Sequence, residues 1–275
     1  MGGLRSGQIV KHLILITFTV MALFPIYIML TASLKTNADF LHSPLSLLGS
    51  NPSFDAFRSV LNDQFLIWIR NSILLTGVAV PVAVAIAAIA AWGLAYWEYR
   101  GRDLLLAAIV SLMVVPPAVL LVPLFNLGSF AGLVSTYQWV IFIYVGFMLP
   151  LSIFILTGFF RVIPRSLLEA AEIDGASSIR CFLSIVLPLA RAPLVTIVVL
   201  NFLFAWNELL FALVFLQDPG EKTLMIGLTG LQGRYSMNVP VIMAGLTLAM
   251  LPTVLLYLVG QRYFQRGLVA GATKG

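Results

Sequence analysis

From Leu104 to Phe160 the chain runs 57 residues without a charged side chain. A water-exposed fold carries charge on about a quarter of its residues, so this run has to be buried or in lipid. About 20 residues of α-helix cross the hydrocarbon of a bilayer, which makes the run too long for one span. The segment "NLGSFAGLVSTYQ" (126–138), rich in glycine and polar residues, divides it in two. Charge spacing marks four more spans, and the six are predicted at about 12–34, 71–97, 104–125, 138–160, 192–217 and 237–261. With 10% charged residues and a mean hydropathy of +1.02, the composition agrees. The predicted fold class is all-α: a polytopic membrane protein of six transmembrane helices, forming a single transmembrane domain over 1–275. The first apolar run lacks a small-residue cleavage pattern and is expected to stay as a span.

Lysine and arginine set the orientation. The N-terminus, the 98–103 turn, the 161–191 loop and the tail 262–275 together carry eleven of the sixteen, and the opposite connections carry five. Both termini are therefore expected in the cytoplasm. These cations lie at span ends and build no basic face, so the high isoelectric point points to orientation in membrane lipid and to no nucleic acid.

The sequence offers little to an enzyme. "GEKT" (220–223) lacks the upstream glycine of a phosphate-cradling loop, so the chain is not expected to hydrolyse ATP itself. His12 and His42 have no carboxylate or cysteine at ligand spacing, and the serines have no partnered histidine in a recognisable elbow. The single Cys181 reads as packing.

Charge concentrates where it is least expected. Between Arg161 and Arg191 lie seven of the chain's 27 charges. "RSLLEAAEID" reads as a short helix with Pro164 in its first turn and Gly175 as a left-handed stop. Ser177 or Ser178 can cap a second helix, "IRCFLSIVL", that ends before Pro188. Glu169 and Glu172 are expected near the positive end of the first helix, with Ala170 and Ala171 keeping one surface low for another protein. An amphipathic hairpin lying on lipid headgroups is the competing reading, and its acids count against it, because anionic lipid attracts lysine and arginine.

The residues Glu169, Ala170, Ala171, Asp174, Gly175, Ala176, Phe182, Ile185, Leu187 and Pro188 resemble the EAA loop of ABC importer permeases. "RNSILLT" (70–76), "AWNELLFALVF" (205–215), "KTLMIGL" (222–228) and "QRYFQRGLVAGATKG" (261–275) are similar to the MalG-like carbohydrate-uptake branch. That resemblance implies a coupling role for Glu169, Ala170, Ala171, Asp174 and Gly175 against a separate ATPase. It also implies a second homologous permease subunit, a dimer of ATP-binding subunits and an extracytoplasmic solute-binding protein. No cofactor is then expected on this chain, with ATP and magnesium on the ATPase. The tail would dock through Gly267, Gly271, Lys274 and Gly275, although a glycine-rich end also reads as a frayed terminus. The connection Gln217–Asn238 would probe the binding protein. A sugar, oligosaccharide or glycerophosphodiester is the branch-level cargo.

Asn207 and Glu208 stay open between two roles, a pore or gate and hydrogen bonding among neighbouring helices. Prolines at 25, 81, 116, 117, 123, 150, 193, 240 and 252 suggest kinked helices that line a cavity, and packing kinks would look the same. An ion-coupled secondary transporter would need intramembrane ligands and inverted repeats, and only Glu208 qualifies. A structural membrane anchor would need the docking loop and no cavity.

Overall fold

A computed structural model describes residues 2–46, 52–231 and 238–272, with side chains from 8 to 261 among them. Its elements are α1 (Gly2–Ser33), α2 (Asn37–His42), α3 (Asp55–Val60), α4 (Asp63–Tyr96), α5 (Arg102–Ser111), α6 (Leu121–Phe130), α7 (Tyr137–Phe160), α8 (Arg165–Ile173), α9 (Ser178–Cys181), α10 (Leu187–Leu189), α11 (Arg191–Asn207), α12 (Leu210–Phe215), α13 (Leu224–Gly230) and α14 (Val239–Ala272). The chain is an all-α polytopic membrane protein. Among the described residues four helices are long and apolar enough to cross a bilayer alone, and two bent pairs bring the number to six if each is one span.

The bends correct the expected third and fifth spans. Residues 102–114 and 117–130 meet at 92°. Val115 and Pro116 each precede a proline, which disfavours helical backbone, and both are extended, with ψ of 117° and 131°. The helix after this break runs to Phe130, so most of the predicted divider at 126–138 is helical and the connection shrinks to 131–136. In the fifth span α11 stops at Asn207, Glu208 is extended at ψ 124°, and α12 restarts at Leu210. Nor does the second loop helix end before Pro188. Residues Phe182–Val186 form a π turn, α10 follows through Pro188, and the chain then bends 77° into α11. The wide turn relieves the clash that a proline ring makes with the carbonyl four residues back. At the C-terminus α14 continues the last span to Ala272, where a separate tail was expected from 262.

Two compact units divide the chain, residues 1–66 with 227–251 and residues 67–226 with 252–275. In the former, no residue in the apolar window of α1 is buried. Lys35, 2% exposed, donates through Nζ to the carbonyls of Ser43, Pro44 and Ser46 at 3.0, 3.0 and 2.8 Å. Three carbonyl dipoles thus satisfy an ammonium that burial would otherwise penalise.

The other unit holds the candidate site. Ala79, Ala83, Ala87 and Ala91, four residues apart on α4, are fully buried and form one low face. Two apolar clusters lie along it. One joins Leu75, Ala79 and Ala83 to Val140, Ile143, Tyr144 and Met148 of α7 and to Phe211 and Phe215 of α12. The second joins Ala87, Ala88, Ala91 and Trp92 to Leu156, Phe160, Leu168, Cys181, Phe182 and Val186. This second cluster carries the charged loop.

Candidate functional site

The loop is a helix, a glycine turn and a helix, as its sequence predicts. Pro164 stands as the N-cap of α8, one position earlier than its expected first turn. At the other end the Gly175 amide donates to the Glu172 carbonyl and the Ala176 amide to the Ala171 carbonyl, both at 2.9 Å. Those paired bonds with Gly175 at φ +85° make a Schellman cap. Ser177 then caps α9 by accepting from the Arg180 amide at 3.3 Å.

Apolar anchors hold the hairpin to the spans. Leu168, Cys181 and Phe182 are buried, and Phe182 stacks on Trp92 with centroids 5.8 Å apart. Ala171 and Ala176 are half-buried against the same cluster, so only Ala170 of the two alanines lies on the outer surface. That surface also carries Ile173 at 86% and Ile179 at 71% exposure, together with Glu169, Asp174 and Gly175.

The two glutamates part company here. Because α8 begins at Arg165, no acid lies in its first turn, and Glu172 falls in the last turn, at the negative end of the helix. The expectation that both gain from the positive end is thereby corrected. A hydrogen bond from the Tyr96 hydroxyl holds Glu172 instead. The Glu169 carboxylate has no hydrogen bond or ion pair among the described residues. It lines a cavity of about 250 Å³ with Trp92, Tyr96, Phe160, Arg161 and Leu168. Arg165 pairs with Glu98 at 2.7 Å and Arg161 with Asp103 at 2.6 Å, both with largely exposed acids.

Within the spans, Glu208 is a structural hub. Its Oε1 accepts from the Phe211 amide at 2.8 Å, and its Oε2 accepts from the Ala212 amide at 3.0 Å and the Tyr144 hydroxyl at 2.8 Å. The carboxylate takes the place of the missing backbone acceptors at the start of α12, which is why the span breaks where it does. Asn207 is exposed, and its amide donates to the Leu203 carbonyl at 2.8 Å. Sequence reasoning missed a second intramembrane pair, Ser152 of α7 with Asn201 of α11, whose amide donates to the serine oxygen at 3.0 Å. A lone amide inside the apolar run 192–206 was the available signal.

At the other end of α4, two motifs from distant parts of the sequence meet. Asn71, fully buried, donates through Nδ2 to the carbonyls of Gly220 at 2.8 Å and Lys222 at 3.0 Å. Ser72 Oγ accepts from the Leu224 amide at 2.8 Å. "RNSILLT" therefore grips the start of "KTLMIGL". In that connection, burial and then the nearby Asp218 carboxylate push Glu221 above its ordinary carboxylate value. Residues 232–237 of the predicted probe Gln217–Asn238 lie outside the described residues, as do Lys274 and Gly275, while Gly267 and Gly271 sit on the last turns of α14. Among the described residues no group of three or more His, Cys, Asp or Glu is placed to hold a metal ion.

Residues 83–269 match the family described as binding-protein-dependent transport system inner membrane component. The chain is 36% identical over 257 residues to the melibiose/raffinose/stachyose import permease protein MelC of Bacillus subtilis, covering 91% of each. It is 34% identical over 277 residues to the trehalose/maltose transport system permease protein MalG of Thermococcus litoralis, covering 98% of this chain and 99% of the relative. The fold is similar to a chain of a bacterial ABC transporter involved in the import of the acidic polysaccharide alginate, with a TM-score of 0.82, 24% identity, and coverage of 96% and 98%.

Proposed function

Because the chain belongs to the family of binding-protein-dependent transport system inner membrane components, we propose that its α8–α9 hairpin is the element through which a separate ATPase drives it. The chain is a permease subunit of an ABC importer. The observation that carries the coupling reading is the hairpin's construction. Its inner face is locked by Leu168, Cys181 and Phe182, Ile173, Ile179 and Ala170 face outward, and the exposed Glu169, its carboxylate unpaired among the described residues, lines the cavity beside Trp92, Tyr96 and Arg161. Exposed isoleucines and a free carboxylate on a rigid knob suit a cleft with an apolar floor and a cationic rim.

Under this reading a dimer of ATP-binding subunits supplies ATP and magnesium, and a second homologous permease completes the pathway. Asp174 and Gly175 set the angle of the knob, and the end of α14, with Gly267 and Gly271 and the following Lys274 and Gly275, reaches the ATPase pair. The chain lies in an inner membrane with both termini in the cytoplasm, an orientation that the charge asymmetry supports. An extracytoplasmic solute-binding protein delivers the cargo to the opposite face, where the connection Gln217–Asn238 meets it. The cargo is a sugar or oligosaccharide, supported by the relatives' named substrates. Glu208 sets the break in the fifth span, and the exposed Asn207 beside it faces the pathway.

Reconstitution with the ATPase, the second permease and the binding protein tests this. Sugar uptake should require ATP and all three partners, and the ATPase should co-purify only while the hairpin is intact. Uptake without the ATPase, or co-purification that survives replacement of 165–181 by a flexible linker, overturns the assignment.

A further inference from the structure

We propose that α4 is the rod that carries the state of the coupling hairpin to the connection on the opposite membrane face, with Tyr96 and Asn71 as the positioning residues at its two ends. This rests on the coupling role assigned to α8–α9 above.

Three observations on one helix lead there. At its hairpin end, α4 and the residues just after it hold α8 twice, by Tyr96 to Glu172 and by Glu98 to Arg165. At its far end, Asn71 and Ser72 make three hydrogen bonds to the backbone of residues 220–224. Between them the helix is continuous from Asp63 to Tyr96, despite Pro81. Twenty-five residues separate Asn71 from Tyr96, or ~37 Å at 1.5 Å per residue, enough to place the grips on opposite sides of a hydrocarbon layer of about 30 Å.

The contrast with the third and fifth spans gives the arrangement its meaning. The third is broken by 92° at residues 115–116, and the fifth is bent by 77° where it leaves the hairpin at Ala190 and interrupted again at Glu208, so a displacement applied at one end is absorbed at the break. A continuous helix passes the displacement on. Its fully buried alanine face, Ala79 to Ala91, offers no long side chains to interlock against sliding. The grip on residues 220–224 is to backbone atoms only, so the sequence of that connection can vary with the binding protein while the attachment stays the same. A push on the hairpin then changes how the connection is presented, and a docked binding protein reports back along the same path, since coupling of this kind is reciprocal.

The test uses the reconstituted four-component complex with Asn71→Ala, Tyr96→Phe and the double variant. Co-purification of the ATPase, its basal activity, and its stimulation by solute-loaded binding protein are measured. Each single variant should assemble and keep basal hydrolysis but lose roughly two- to tenfold in stimulation, the range expected for lost hydrogen bonds. The double variant should fall no further than the weaker single, because cutting the rod at either end is enough. Stimulation at the wild-type level in both singles, or losses that multiply in the double, overturns the rod. If Asn71→Ala does not assemble, Ser72→Ala removes only the acceptor for the Leu224 amide and carries the same expectation and the same overturning result. Failure of the unmodified complex to co-purify would strike the coupling assignment instead, so the two failures are distinct.

Discussion

The amide of Ala176 donates to the carbonyl of Ala171 at 2.9 Å, across the left-handed Gly175. That bond fixes the angle between α8 and α9. Nothing lies within 4 Å of a Cβ built on Gly175, so a substitution there is strained only by its φ of +85°. The penalty for a residue with a Cβ is about 1–2 kcal/mol and largest for a β-branched one. Gly175→Val should therefore insert in the membrane normally yet separate ATP hydrolysis from uptake, Gly175→Ala should be milder, and Gly175→Asn the mildest, because asparagine tolerates this region. Uptake per ATP hydrolysed, measured in proteoliposomes, gives the order, and equal coupling in all three would remove the turn from the mechanism.

Glu169 and Glu172 should fail in different ways. The Glu169 carboxylate is unpaired among the described residues, so Glu169→Lys is expected to weaken ATPase binding, more at low salt than at high, as an intermolecular charge contact does. Glu172→Gln keeps the shape of the side chain but weakens its bond to Tyr96, and should leave ATPase binding nearly intact while lowering coupling. Affinity for the ATPase at two ionic strengths, for both variants, separates them. Equal losses at both salts for Glu169→Lys would show that the charge does not face the partner.

Gly128 is packed under an indole. A Cβ at this position would lie 2.6 Å from Nε1 of Trp139, so Gly128→Ala overpacks the contact of α6 with α7 at a cost of about 1–3 kcal/mol. Trp139→Phe removes the offending ring edge and should recover most of the loss in the double variant. Thermal unfolding in detergent reads both, and additive losses would show that the two residues do not share the contact.

Glu221 makes the connection after α12 sensitive to pH. Burial and Asp218 raise its pKa, so the folded state binds its proton more tightly than the unfolded state. The sign follows from proton linkage: between the ordinary and the raised value, stability falls as pH rises. Glu221→Gln should flatten that slope in thermal unfolding. A slope unchanged by the substitution would place the effect elsewhere.

How much of this was legible in the sequence depends on the range of the interaction. Charge-free spacing located the apolar segments because the hydrocarbon penalty acts on each residue separately. Gly175 and Ser177 were legible because helix caps are local. The sequence misplaced what depends on a partner far along the chain. Glu172 looked like a helix-dipole residue until Tyr96, 76 positions away, supplied its donor. The fifth span looked continuous because Glu208 gave no hint that its carboxylate would replace backbone acceptors. Asn71 and Ser72 stood in a quoted motif without a role, since residues 220–224, about 150 positions on, supply their partners. The double proline at 116–117 was a local signal, and it was read as a kink where two consecutive pre-proline residues force a break.

Glu208 invites the sharpest comparison, between a carboxylate that carries a proton and one that holds a helix end. Its three hydrogen bonds all arrive from donors, two backbone amides and the Tyr144 hydroxyl. Removing the acceptor leaves those donors unsatisfied in a water-poor setting, at about 1–3 kcal/mol for each buried group that finds no substitute. Glu208→Ala should therefore lower thermal stability markedly and impair uptake. Glu208→Gln keeps one carbonyl oxygen with two lone pairs but cannot carry a proton, and Tyr144→Phe removes one donor and leaves the cap. Both should stay closer to wild type than Glu208→Ala, with ATP-driven uptake retained and insensitive to a protonophore. A proton-coupled carrier gives the opposite pattern, in which Glu208→Gln abolishes uptake while the protein stays folded and a protonophore stops the wild-type protein. Measuring uptake and melting temperature for the three variants, with and without the protonophore, decides between the two. Loss of uptake in a stable Glu208→Gln protein would make the residue part of the transport chemistry and end its reading as a cap.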